Sequence, residues 1–131
     1  MEQILFTLTG VVVHGKAKGS TVGMPTANLC VPEGTVLPEF GVYAVSIDIE
    51  GRHYYGITNV GFRPSVDQSN DITIETYIFD FSNNIYGKTI SINFHKYIRS
   101  TKKFDSLEKV KRQVEIDCSA VRLFFSELFR E

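Results

Sequence analysis

Ile72-Thr73-Ile74-Glu75-Thr76-Tyr77-Ile78-Phe79-Asp80-Phe81 is the stretch on which the fold class turns. It alternates, with Ile72, Ile74, Thr76, Ile78 and Asp80 on one face and Thr73, Glu75, Tyr77, Phe79 and Phe81 on the other. A period of two in β-branched and aromatic residues marks a strand with two unlike faces. Glu75 thereby shares a face with three aromatics.

Outward from this stretch the same grammar repeats. Upstream, Val42 to Ile49 is rich in β-formers, halts at Glu50-Gly51 and resumes from His53 to Asn59, which reads as a hairpin. Leu5 to His14 and Ala27 to Val31 add two more strands, and Lys88 to Tyr97 adds the last, with Ile90, Ile92 and Phe94 on one side. Pro32-Glu33-Gly34, Pro38-Glu39 and Ser82-Asn83-Asn84 punctuate the connections. Gly61-Phe62-Arg63-Pro64 and Asp67 to Asp71 read as a polar loop, expected to be the mobile segment.

After Phe104 the period changes. Asp105 or Ser106 can cap a helix, with Glu108 in its first turn. Leu107, Val110, Val114, Asp117, Val121, Phe124 or Phe125, and Leu128 then recur at helical spacing. Six short strands followed by one helix predict an all-β fold: a small closed barrel with a C-terminal helix across it. No repeat or linker divides the chain, so residues 1–131 are expected to be a single domain.

Composition narrows the function classes. A hydrophobic content of 43% in 131 residues suits a packed core and argues against disorder. A net charge of −1 gives no bulk attraction to nucleic acid or anionic membranes, so any positive site must be local. Cys30 and Cys118 lie far apart, without a CxxC or a neighbouring histidine, and read as buried reduced thiols. No signal peptide and no membrane-length apolar run is visible, which places the expected location in the cytoplasm.

The chemistry concentrates between the first two strands. His14-Gly15-Lys16-Ala17-Lys18-Gly19-Ser20-Thr21-Val22-Gly23-Met24-Pro25-Thr26-Ala27-Asn28-Leu29 combines glycines, lysines and small oxygen-bearing side chains. Glycines let backbone N–H groups approach an anion, and Thr26 and Asn28 offer oxygens to a hard cation. The spacing fits neither a Walker A loop nor the dinucleotide-binding fingerprint, and a Gly-rich stretch is more often a plain turn. Glu75 is either a poised general base or a strand carboxylate at the sheet rim. Arg99-Ser100-Thr101-Lys102-Lys103-Phe104 is a cationic knot suited to an anionic or planar ligand, although a solvated turn anchored by Phe104 explains it as well. His14, His53 and His95 show no metal spacing.

These blocks, taken in order, resemble a known family. Val13-His14-Gly15, Gly23 to Leu29, Gly41-Val42-Tyr43-Ala44, Asn59 to Pro64, Glu75 to Phe81, Tyr86-Gly87, Ile98-Arg99 with Lys102 and Phe104, and Phe104 to Glu108 are similar to the riboflavin kinase (flavokinase) domain. That domain occurs alone or as the C-terminal half of bifunctional bacterial riboflavin kinase/FAD synthetases. The resemblance implies a six-stranded antiparallel Greek-key barrel and ATP-dependent phosphorylation of the riboflavin 5′-hydroxyl, giving FMN and ADP. It implies Thr26 and Asn28 as ligands of a divalent cation, Mg2+ or alternatively Zn2+ or Mn2+, and Glu75 as the catalytic carboxylate. It implies Gly15, Lys18, Gly19, Thr21, Gly23, Pro25, Thr26, Asn28, Ile78, Asp80 and Tyr86 around ATP, and Arg99, Lys102 and Phe104 at the flavin. A monomer without nucleic-acid or membrane partners is expected.

The chain departs from the bacterial pattern at Ser20, where an Arg is usual, and at Val22, Met24, Tyr77 and Thr101. None of these removes a metal or base position. Two other readings follow from the same residues: a flavin-binding regulatory module with weak or no turnover, and an oligonucleotide-binding barrel, which the near-neutral charge opposes.

Overall fold

The computed structural model describes residues 4–13, 26–64, 70–101 and 104–130. Among these, the chain order is β1 (Phe6–Val13), β2 (Ala27–Cys30), β3 (Gly41–Ile49), β4 (Arg52–Pro64), β5 (Asn70–Ile78), β6 (Thr89–Arg99) and α1 (Leu107–Leu128). The strands close into a barrel in the order β1-β2-β5-β4-β3-β6, every neighbouring pair antiparallel. β3, β4 and β5 form a meander and β6 returns beside β3, which is a Greek key. Closure leaves no free sheet edge among the described residues.

Local chemistry explains the joints. Glu50 and Gly51 carry φ of 50° and 82°, so the β3–β4 hairpin turns through two left-handed residues between the paired Ile49 and Arg52. This is the two-residue geometry that matches strand twist. Ser106 caps α1, its hydroxyl accepting from the Lys109 N–H at 3.2 Å, while Asp105 pairs instead with the Lys109 ammonium at 2.9 Å.

Alternation sorts the side chains into two cores. Val45, Ile47, Ile74, Ile78, Ile90, Ile92 and Phe94 point into the barrel and are buried. Burying a side chain of this size contributes about 1.5–3 kcal/mol. Outside the barrel, Ala44 and Phe79 pack with Val121 and Phe125 of α1, flanked by Tyr55, Ile57, Tyr77 and Ile98. Asp117, Val121 and Phe125, four residues apart, form the buried stripe of the helix.

Four expectations are corrected. Residues 61–64 and 70–71 are strand, paired in register from Gly61↔Thr73 to Pro64↔Asn70, and only 65–69 of the expected loop lie outside the described residues. Gly, Pro, Asn and Asp disguise those strand ends because they are poor β-formers. β5 stops at Ile78, three residues short of the alternating pattern, where Phe79 turns onto the helix and Asp80 takes a φ of 56°. Phe81 leaves the Glu75 face and packs edge-on against Tyr54, ring centroids 4.8 Å apart, beside the barrel core. The thiols are not both buried: Cys30 is exposed and Cys118 is half-buried.

Candidate active site on the outer face of β2 and β5

Closure of the barrel draws one transverse row across its outer face. Asn28 of β2 lies opposite Glu75 of β5, Glu75 opposite Asn59 of β4, Asn59 opposite Val42 of β3, and Val42 opposite Arg99 of β6. Directly opposed residues of antiparallel strands project from the same face, Cβ atoms about 4.5–5.5 Å apart. The carboxylate of Glu75 is therefore flanked by two amides, and it is half-buried. Its chain neighbours Ile74 and Thr76 point inward, and the hydroxyls of Thr76 and Thr58 meet at 2.7 Å in the interior, pinning β5 to β4 beneath it.

At the barrel end next to this row lies a pocket of about 330 Å3, lined by Val12, Thr26, Ala27, Thr76, Ile78, Phe81, Ser82, Asn83, Asn84, Ile85 and Tyr86. Its deep wall is apolar, through Val12, Ala27, Ile78 and Ile85, all buried, while Ser82, Asn83, Asn84 and Tyr86 at the mouth are exposed. The outer wall is fixed to β1 by Gly87 N–H donating to the Val12 carbonyl at 2.8 Å and Val12 N–H to Lys88 at 2.9 Å. Asn84 Oδ1 accepts from the Tyr86 N–H at 3.0 Å and sets the turn. The start of β2 joins pocket and row: Thr26, just before the strand, and Ala27 line the pocket, and Asn28 faces Glu75. Two residues of strand span about 7 Å.

The comparisons with known proteins follow this geometry. A sequence model of riboflavin kinases matches residues 3–125. The chain belongs to the riboflavin kinase family. The bifunctional riboflavin kinase/FMN adenylyltransferase of Bacillus subtilis is 35% identical over 125 residues, covering 94% of this chain and 40% of that protein. A second B. subtilis relative, the RNA-binding riboflavin kinase RibR, is 35% identical over 114 residues, covering 87% and 49%. Among solved structures, a Streptococcus pneumoniae protein described as a macrolide-efflux protein superposes with a TM-score of 0.80 at 37% identity, over 88% of this chain and 38% of that one. Riboflavin kinase from Trypanosoma brucei shares the fold, with a TM-score of 0.65 at 24% identity over 92% and 79%. The chain spans about two fifths of the length of the bifunctional relatives it matches.

Within this family member the expected site residues separate into groups. Thr26, Ile78 and Tyr86 meet in the pocket, and Asn28 and Glu75 meet in the row. Asp80 lies apart from both, its carboxylate 3.5 Å from Arg122 of α1, whose guanidinium stacks 4.1 Å over the Phe79 ring. Arg99 ends the row, but its guanidinium is committed to the helix: Nε donates to both Asp117 oxygens at 3.0 and 3.1 Å, and Nη2 to Oδ2 at 2.8 Å. Gln113 adds a bond to Asp117 at 3.0 Å. Phe104 is half-buried ahead of α1. Gly15, Lys18, Gly19, Thr21, Gly23, Pro25 and Lys102 lie outside the described residues.

Two features escaped the reading of the sequence. Asn59 occupies the row beside Glu75, a position that only cross-strand register reveals. Asn83, Asn84 and Ile85 wall the pocket from a segment legible only as a turn. Asp117 did carry a signal, because a carboxylate at a core position of a helix calls for a buried cation.

Proposed function

We propose that this chain catalyses transfer of the γ-phosphoryl group of ATP to the 5′-hydroxyl of riboflavin, giving FMN and ADP. The observation that carries the reading is the short run from Thr26 into β2: Thr26 and Ala27 line a pocket of nucleobase size, and Asn28, the next residue, stands opposite Glu75. A triphosphate running along β2 from the pocket reaches the carboxylate.

The reaction follows from that placement. Glu75 orients the ribityl hydroxyl and accepts its proton while the oxygen attacks the γ-phosphorus; the bond to the β–γ bridging oxygen breaks and ADP leaves with the electron pair. Holding both reactants against one carboxylate supplies most of the acceleration. Thr26, just ahead of β2, and Asn28 within it offer neutral side-chain oxygens two residues apart, a donor set that fits a hard divalent cation completed by phosphate and water oxygens. When bound there, the cation offsets the charge of the phosphates. Among the described residues no group of three or more His, Cys, Asp or Glu side chains offers a competing cage.

In the same reading the chain works as a monomer in the cytoplasm, with riboflavin and ATP as its substrates and no nucleic acid. No helix among the described residues is long and apolar enough to cross a membrane. Because the relative RibR is described as RNA-binding, an oligonucleotide titration at low salt belongs beside the enzyme assay. The test of function is FMN formation by the purified chain from riboflavin, ATP and Mg2+, followed by chromatography. The expected result is FMN in proportion to ADP; riboflavin binding without FMN would instead support a regulatory module.

A further inference from the structure

Asn59, the neighbour of Glu75 in the row, has no part in the transfer itself. Asn59 stands between Glu75 and Val42 on the outer face, and its Oδ1 accepts from the Thr101 hydroxyl at 3.3 Å. Thr101 is exposed and is the second residue after β6, three residues before Phe104. The end of β6 just before it is tied as well, since Arg99 is bidentate to Asp117 and its Nη1 donates to the Ser100 carbonyl at 3.0 Å. The Arg99 bonds hold the end of β6 to the helix. The Asn59 bond alone holds Thr101 to the strand next to Glu75 among the contacts described for Thr101.

Resting on the riboflavin kinase reading, we propose that Asn59 is a positioning residue for the acceptor substrate. Through Thr101 it fixes the chain just after the end of β6 against the row that carries Glu75, and so shapes the surface on which an acceptor whose hydroxyl faces that carboxylate must rest. In phosphoryl transfer, misplacing the acceptor by about 1 Å costs on the order of a hundredfold in rate. A single neutral hydrogen bond at an exposed connection restrains less than that, so a loss of roughly tenfold is expected.

The experiment compares wild type, Asn59→Ala, Thr101→Val, Thr101→Ser and the Asn59→Ala/Thr101→Val double variant, with kcat and KM measured separately for riboflavin and ATP. Asn59→Ala and Thr101→Val should each lower kcat/KM for riboflavin about tenfold while KM for ATP and the thermal midpoint stay put. Thr101→Ser, which keeps the hydroxyl, should restore the wild-type value. The double variant should be no worse than the poorer single, because both break one bond. Additive losses, equal losses for Thr101→Val and Thr101→Ser, or riboflavin kinetics within twofold of wild type would each overturn the inference. Thr101 is exposed, so its variants fold even if Asn59→Ala does not. An active wild type with indifferent variants defeats this inference alone, whereas a wild type that makes no FMN defeats the functional reading beneath it.

Discussion

At the residue scale, the Arg99–Asp117 pair decides how the helix sits on the barrel. Asp117 is 4% exposed and receives three bonds from Arg99 and one from Gln113. Removing one partner of a buried pair strands the other charge, at a cost of about 3–5 kcal/mol. Asp117→Ala should therefore lower the unfolding free energy by an amount of that order, read as a lower urea midpoint, while Arg99→Met/Asp117→Leu recovers most of it. The sequence places Asp117 in the helical stripe, but its pairing with Arg99 is not legible there, because it depends on where β6 ends relative to α1. The thiols give a second test at this scale. Burial pushes the Cys118 thiol above its ordinary value, against a smaller lowering by Arg122, whereas Cys30 is exposed. A thiol raised in this way holds less thiolate at neutral pH and gains it only above the usual thiol range. Iodoacetamide at pH 7 should alkylate Cys30 first, and Cys118 should follow as the pH rises, which peptide mass spectrometry resolves.

At the element scale, the alternation of β5 and the break after Phe104 foretell strand and helix because each lays one periodicity along consecutive residues. The ends are less legible. Pro64, Asn70 and Asp71 pair only because β4 and β5 already stand in register through Gly56↔Ile78 to Phe62↔Ile72. Gly56 leaves no room for a side chain between these strands: a Cβ there would stand 2.1 Å from the Tyr77 carbonyl oxygen. Backbone cannot retreat as a flexible side chain can, so Gly56→Ala should destabilise by roughly 1–3 kcal/mol, read as a lower denaturant midpoint. Because the displaced strand carries Glu75, the same variant should lose FMN formation more steeply than stability. Ordinary stability with ordinary activity would show that β5 has room the geometry denies.

At the scale of the whole molecule, the barrel makes neighbours of strands distant in sequence. β2 and β5 are separated by two strands along the chain, yet Asn28 and Glu75 are direct cross-strand partners. The candidate residues were legible one by one; the pocket wall at 82–86 and the place of Asn59 were not, since register and closure are properties of the assembled sheet. The proposed transfer depends above all on Glu75, in this row, acting as its base. The most direct measurement is FMN formation by Glu75→Gln beside wild type, with riboflavin binding followed by fluorescence. Loss of one to several powers of ten in kcat with riboflavin affinity retained is the predicted result. FMN formation by Glu75→Gln at the wild-type rate would contradict it.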